Sequence, residues 1–130
     1  MKFANIIIVG ATGMVGETLL KVLFERKFPI GKLTLVASEN SMGKKIKFNN
    51  KEYGVISLNE EVFNEKYDIA FFTAGEEVSY KYAKLAVKMG SVVIDNSSTF
   101  RMDPLVPLVI PEVNSEEIYK HQGIIANPNC

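Results

Sequence analysis

Three features of this sequence could do chemistry. The first is a glycine-rich run, GATGMVG, spanning Gly10 to Gly16. Glycines at 10, 13 and 16 remove side-chain bulk where a strand must turn into a helix, and the start of that helix offers unpaired amides and a positive dipole end to a pyrophosphate. The spacing is G-x-x-G-x-x-G instead of the commoner G-x-G-x-x-G, and the alternative is a tight turn that binds nothing. The second is DNSSTFRMD, Asp95 to Asp103, where a run of donors precedes Arg101. A guanidinium presents a planar fork suited to carboxylate or phosphate, so Arg101 is either an anion clamp or a surface arginine paired with Asp103. The third is the single thiol, Cys130, closing GIIANPNC. A thiolate attacks acyl carbons once its pKa is lowered; the alternative is an inert core cysteine.

Two further stretches belong with these if the glycine run holds a dinucleotide. In VASENSMGKK, Ser38 stands where a site for a free ribose 2′-hydroxyl places Asp or Glu, and Ser41, Lys44 and Lys45 follow. Donors and positive charge there favour a 2′-phosphate, hence NADP over NAD, although Glu39 points the other way. In FFTAGEEVS, Thr73, Ala74 and Gly75 form a small-residue turn that either packs against the cofactor or is only a turn. His121, between Lys120 and Gln122, reads as exposed and receives no role.

These residues need a frame. Phe3 to Val9 is a β-branched apolar run closed by Gly10, the pattern of a strand buried on both faces. Apolar residues at helical spacing from Gly13 to Arg26 predict a helix, stopped by Phe28 to Gly31, and Leu33 to Ala37 predicts the next strand. Lys47 to Val55 suggests short strands with Asn49-Asn50 as a hairpin turn. Asp68 to Thr73, Val78 to Met89 and Val92 to Asp95 continue as strand, helix and strand, with Gly90 as helix stop. Beyond lie a long loop, a brief helix at Ser115 to Tyr119 and one more strand at Gly123 to Ala126. The expected fold class is α/β: a Rossmann-like, doubly wound, mostly parallel sheet with helices on both faces.

Composition narrows the function classes. A chain of 130 residues that is 47% apolar supports one domain with a real core. Fifteen basic side chains balance 15 acidic ones with no dense basic stripe, which argues against nucleic acid. The longest apolar runs, IIIVGA and LVPLVIP, are too short to cross a bilayer, and MKFANIIIVG flows into a strand without a signal-peptide pattern, so no membrane role and a cytoplasmic setting are expected. No metal-ligand cluster stands out.

The series IIIVGATGMVGETLL, VASENSMGKK, DIAFFTAGE, VVIDNSSTFR, VPLVIPEVN and GIIANPNC resembles, in order and over essentially the whole chain, the amino-terminal part of the aspartate-β-semialdehyde dehydrogenases. That family reduces β-aspartyl phosphate to aspartate β-semialdehyde with NADPH, releasing phosphate, on the way to lysine, threonine and methionine. The resemblance implies that Gly10, Thr12, Gly13, Met14, Val15 and Gly16 hold the cofactor pyrophosphate, that Ser38, Ser41 and Met42 lie along the adenosine end, and that Thr73, Ala74 and Gly75 line the cofactor. It implies that Arg101 holds the phosphate of the acyl phosphate, that Asn129 positions substrate and that Cys130 is the nucleophile. Asn40 stands where many bacterial members carry an arginine, which removes one guanidinium from the expected 2′-phosphate contact. Residues 1–130 would then be the dinucleotide-binding domain. The family's substrate-binding and dimerising domain, part of a homo-oligomer, follows the cysteine and is absent from this chain, so the chain alone is expected to be inactive. A stand-alone regulatory nucleotide-binding module and a related acyl-phosphate reductase, such as N-acetyl-glutamyl-phosphate reductase, are the rival readings.

Overall fold

A computed structural model describes residues 2–128. Six strands form one parallel sheet: β1 (Ala4–Val9), β2 (Ile30–Ala37), β5 (Ile56–Ser57), β6 (Ile69–Phe72), β7 (Val92–Asp95) and β8 (Ile124–Ala126), in the spatial order β5-β2-β1-β6-β7-β8. Between β2 and β5 the chain inserts an antiparallel hairpin of β3 (Lys45–Phe48) and β4 (Lys51–Gly54). The helices are α1 (Met14–Glu25), α2 (Glu76–Lys88) and the single turn α3 (Pro111–Asn114). From β1 the chain runs outward through β2 to β5 and then returns to the other side of β1 at β6. The order therefore reverses between β1 and β6, the kind of switch point beyond whose strand carboxyl ends open parallel sheets take ligands.

The apolar strands are continuous because both sheet faces are covered. Along β1, Ile6 and Ile8 pack with Leu20 and Leu23 of α1, while Ile7 and Val9 face the cluster that contains Tyr82, Ala83 and Ala86 of α2. Alternation in the strand thus meets helical spacing on each side. On the α2 face, Phe63 stacks on Phe72 at 5.9 Å and on Tyr82 at 5.7 Å between ring centroids.

Boundaries differ from the sequence reading for local reasons. The first helix is stopped earlier than Phe28: Lys27 takes φ 52°, and the amides of Lys27 and Phe28 return to the carbonyls of Phe24 and Leu23. A non-glycine residue thus supplies the left-handed cap usually left to glycine. Strand β2 begins at Ile30 instead of Leu33, because the Lys32 amide bonds to the Asn5 side chain and the Ala4 amide to the Pro29 carbonyl. Helix α2 begins at Glu76, two residues before the expected start, with Gly75 at φ 95° as its N-cap. The hairpin turns at Asn49 and Asn50 as expected, both at positive φ (49° and 64°), the requirement of a type I′ turn. His121 is half-buried, not exposed; its Nδ1 accepts the Gly123 amide at 3.0 Å. Among the described residues no helix is long and apolar enough to cross a membrane.

Candidate functional site

The glycine run leaves the carboxyl end of β1 at this switch point. Gly10 has φ 96°, and a Cβ there would lie 2.6 Å from Thr73 Oγ1 and 2.8 Å from its carbonyl carbon. A Cβ on Gly16 would lie 2.3 Å from the Gly10 carbonyl oxygen. Gly10 and Gly16 are thus required by the close approach of β6 and of α1 to the turn. Gly13 differs: it is exposed, takes an ordinary φ of −81°, and its nearest non-neighbouring atom would sit 3.5 Å from a Cβ. It is the N-cap of α1 and supplies no side-chain cap. Among the described residues the amides of Met14, Val15 and Gly16, the first three of the helix, have no backbone acceptor. Met14 and Val15 are exposed, while Gly16 is buried against the turn. A negatively charged group fits there on both donor and dipole grounds.

Thr73 closes the other wall. Its amide and hydroxyl both donate to the Val9 carbonyl, at 2.8 and 2.9 Å, and its hydroxyl lies 3.2 Å from the Gly10 carbonyl. Its one hydroxyl hydrogen therefore holds the glycine turn against β6. Ala74 and Gly75 follow, exposed, at the start of α2. On the β2 side, Thr12 Oγ1 lies 3.2 Å from Ser41 Oγ, which brings the short 3-10 turn Glu39–Ser41 against the glycine run. Ser38 sits at the exposed start of that turn. Met42, the residue after that turn, is exposed and lines a cleft with Leu35, Gly54 and Ile56. Lys45 pairs with Glu52 at 3.4 Å, while Lys44 is exposed and makes no ion pair among the described residues.

Arg101 does not pair with Asp103, whose carboxylate instead accepts the Leu105 amide at 2.9 Å. Its Nε donates to the Asn127 carbonyl at 3.0 Å and its Nη2 to the Asn96 carbonyl at 2.9 Å. Two of its five N–H bonds thus join the ends of β7 and β8, and the other three have no partner among the described residues. They border a polar pocket of about 370 Å³ lined by Thr73, Gly75, Glu76, Asn96, Ser97, Ser98 and Arg101. Thr73 belongs to both the glycine turn and this pocket, so the two form one continuous site at the carboxyl edge of the sheet. Asn129 and Cys130 lie outside the described residues.

Sequence reasoning missed Asp95 and Asn127. Asp95 is fully buried and accepts Ser79 Oγ at 2.6 Å, the Ser97 amide at 3.1 Å and Ser97 Oγ at 2.8 Å. The Asp-x-Ser spacing in DNSS was the available signal, since an aspartate commonly accepts the amide two residues on. Asn127 gives its carbonyl to Arg101 and its Nδ2 to Asn96 Oδ1 at 3.1 Å, pairings no spacing in the sequence marks. A larger cleft of about 660 Å³, walled by Phe3, Phe24, Phe28, Phe48 and Tyr53, lies at the opposite, amino-terminal end of the strands. It is an aromatic groove between α1 and the hairpin, remote from the converging donors.

The family model described as the semialdehyde dehydrogenase NAD-binding domain matches residues 5–121. The chain belongs to that family. A curated relative, the aspartate-semialdehyde dehydrogenase of Aquifex aeolicus, is 57% identical over 97% of this chain, which covers 38% of the relative. The crystal structure of aspartate semialdehyde dehydrogenase II from Vibrio cholerae complexed with ASA superposes with a TM-score of 0.90 at 48% identity, covering 99% of this chain and 42% of that one. The enzyme from Candida albicans, solved with NADP, shares the fold at a TM-score of 0.75 and 23% identity, over 96% of this chain and 42% of that one. This semialdehyde dehydrogenase domain thus spans about 38% of the length of curated relatives such as the Aquifex enzyme.

Proposed function

We propose that this chain is the NADP-binding part of an aspartate-semialdehyde dehydrogenase, which reduces β-aspartyl phosphate to aspartate β-semialdehyde with release of phosphate. The observation that carries the reading is the unpaired amide row of Met14, Val15 and Gly16 beside the side-chain-free Gly10 and Gly13, in a domain of this family. Those amides, with Thr12, fit a pyrophosphate. Ser38 and Ser41 would meet the ribose, and the exposed Lys44 supplies positive charge for a 2′-phosphate, which favours NADP over NAD even with Asn40 in place of an arginine. Met42, next to Ser41, would lie along the adenosine end. Thr73, Ala74 and Gly75 wall the nicotinamide half. NADPH, when bound, supplies the hydride that turns the acyl group into the aldehyde.

The remaining roles belong to the chain's own side chains. The Cys130 thiolate attacks the acyl carbon of β-aspartyl phosphate; the carbon–sulfur bond forms as the carbon–oxygen bond to phosphate breaks, leaving a thioester and free phosphate. Arg101 receives the phosphate through its three uncommitted N–H bonds, and Asn129 orients the substrate. On this reading residues 1–130 are the dinucleotide-binding domain. A substrate-binding and dimerising domain completes a homo-oligomeric cytoplasmic enzyme, and the chain alone does not turn over.

Titration calorimetry of the chain with NADP and with NAD tests the cofactor half. Saturable binding, tighter for NADP and weakened in Lys44→Ala, supports it. Equal affinities unaffected by Lys44→Ala contradict the NADP assignment. Steady-state reduction of β-aspartyl phosphate against N-acetylglutamyl phosphate by the longer protein tests the substrate.

A further inference from the structure

The mechanism above leaves one buried charge unused. Asp95, at the end of β7, has no exposed surface and no cationic partner among the described residues. A buried carboxylate without a counter-charge is retained only if hydrogen bonds replace its hydration. Here the donors are Ser79 of α2 at 2.6 Å and, from the loop after β7, the Ser97 amide at 3.1 Å and hydroxyl at 2.8 Å. The tie extends outward: Ser97 Oγ accepts the Thr99 amide at 3.2 Å, and the Thr99 hydroxyl donates to the Glu76 carbonyl, in the first turn of α2, at 3.0 Å. Asn96, Ser97 and Ser98 form one wall of the polar pocket, and Gly75 and Glu76 form the facing one. The carboxylate therefore bolts the two walls together from beneath, while Arg101, bonded to the Asn96 carbonyl, spans the rim.

We propose that Asp95 is a positioning residue: by fixing Ser97 against α2 it sets the loop that aims Arg101 into the anion pocket. The inference rests on the reading of that pocket as the phosphate site. It separates two kinds of donor in the same short run: the Ser97 hydroxyl is committed inward to the carboxylate, and Arg101 alone carries positive charge to the pocket. Removing the inward tie frees the turn from Ser97 to Arg101, whose amide donates to the Ser98 carbonyl at 3.3 Å, while Asn96 stays held to β6 by its amide to the Phe72 carbonyl at 2.9 Å.

The test uses the chain with inorganic phosphate as probe, read by NMR on the Arg101 Nε–H. Two measurements are made: its protection from solvent exchange, which reports the bond to the Asn127 carbonyl, and its shift on phosphate titration. Variants are Asp95→Asn and, because a buried carboxylate is hard to replace without unfolding, Ser79→Ala, which cuts the tie from Asp95 to α2 and leaves its Ser97 bonds in place. In both, Nε–H protection is expected to fall about tenfold and phosphate affinity several-fold, with dinucleotide affinity at the glycine turn within about twofold of wild type. A purely structural role would lower thermal stability and both affinities together, which overturns the proposal. So does wild-type Nε–H protection in both folded variants. If wild type binds no phosphate, the phosphate reading of the pocket fails by itself, while the exchange measurement still decides the role of Asp95.

Discussion

Replacing Gly13 by aspartate separates the two jobs of the glycine turn. Gly13 has φ −81° and ψ 171°, allowed to any residue, and a Cβ there approaches nothing closer than 3.5 Å. It is the uncapped N-cap of α1. An aspartate in this position accepts an orphan amide and faces the positive helix end, so the fold gains about 0.5–1 kcal/mol. In a chain of this size that raises the melting temperature by roughly 2–4 °C. The same carboxylate stands in front of the amide row of Met14 to Gly16, where a pyrophosphate would bind. Two unit charges about 5 Å apart at an effective dielectric near 20 repel by about 3 kcal/mol, a loss of roughly 10²-fold in affinity. Gly13→Asp is thus expected to melt higher and bind dinucleotide at least about 10²-fold more weakly. Gly16→Ala is the contrast, since its Cβ would lie 2.3 Å from the Gly10 carbonyl oxygen; overpacking against backbone is expected to cost about 1–3 kcal/mol or more. Circular-dichroism melting and calorimetric titration read both effects. A folded Gly13→Asp that binds dinucleotide as wild type does would refute the placement of the pyrophosphate at this helix end.

Other consequences follow from the packing and the titrating groups. Phe63→Ala removes a fully buried ring stacked on Phe72 and Tyr82; urea unfolding should show a loss of about 3–5 kcal/mol, and a loss below about 1 kcal/mol would contradict that packing. Asn50→Gly relieves a left-handed residue at φ 64° in the hairpin turn and should raise stability by a few tenths to about 1 kcal/mol in the same assay. Burial raises the Tyr67 phenol above its ordinary value, with smaller opposing and reinforcing contributions from Thr34, Glu65 and Lys32. A raised folded pKa means that the contribution is complete below the ordinary phenol value and is lost as pH rises through the raised one. Unfolding measured across that alkaline window should therefore steepen in wild type relative to Tyr67→Phe. Identical slopes would contradict the assignment.

The sheet was legible in the sequence because its strands are buried on both faces and read as unbroken apolar runs, as at Ile6 to Val9 and Ile69 to Phe72. The glycine turn was legible because Gly10 and Gly16 meet backbone or backbone-locked atoms that leave no room for a side chain. The stop at Lys27 was not, since nothing local marks a lysine for a left-handed cap. The start of β2 was hidden for another reason: the Asn5 side chain, 27 residues away, holds the Lys32 amide. The same limit applies in the site. Arg101 stood out as a candidate anion clamp, but its pairing with the carbonyls of Asn96 and Asn127 depends on β7 and β8 lying side by side. Asp95 looked like the last residue of a strand, and its long-range partner Ser79 became visible only with α2 packed against β7.

Amide chemical-shift mapping of the chain titrated with NADP reads the location of the dinucleotide site residue by residue. Saturable shifts are expected at Thr12, Met14, Val15, Gly16, Ser38, Ser41 and Gly75, around the carboxyl ends of β1 and β6. Shifts confined to the aromatic cleft of Phe3, Phe24, Phe48 and Tyr53, or no shifts from a folded chain, would contradict this placement.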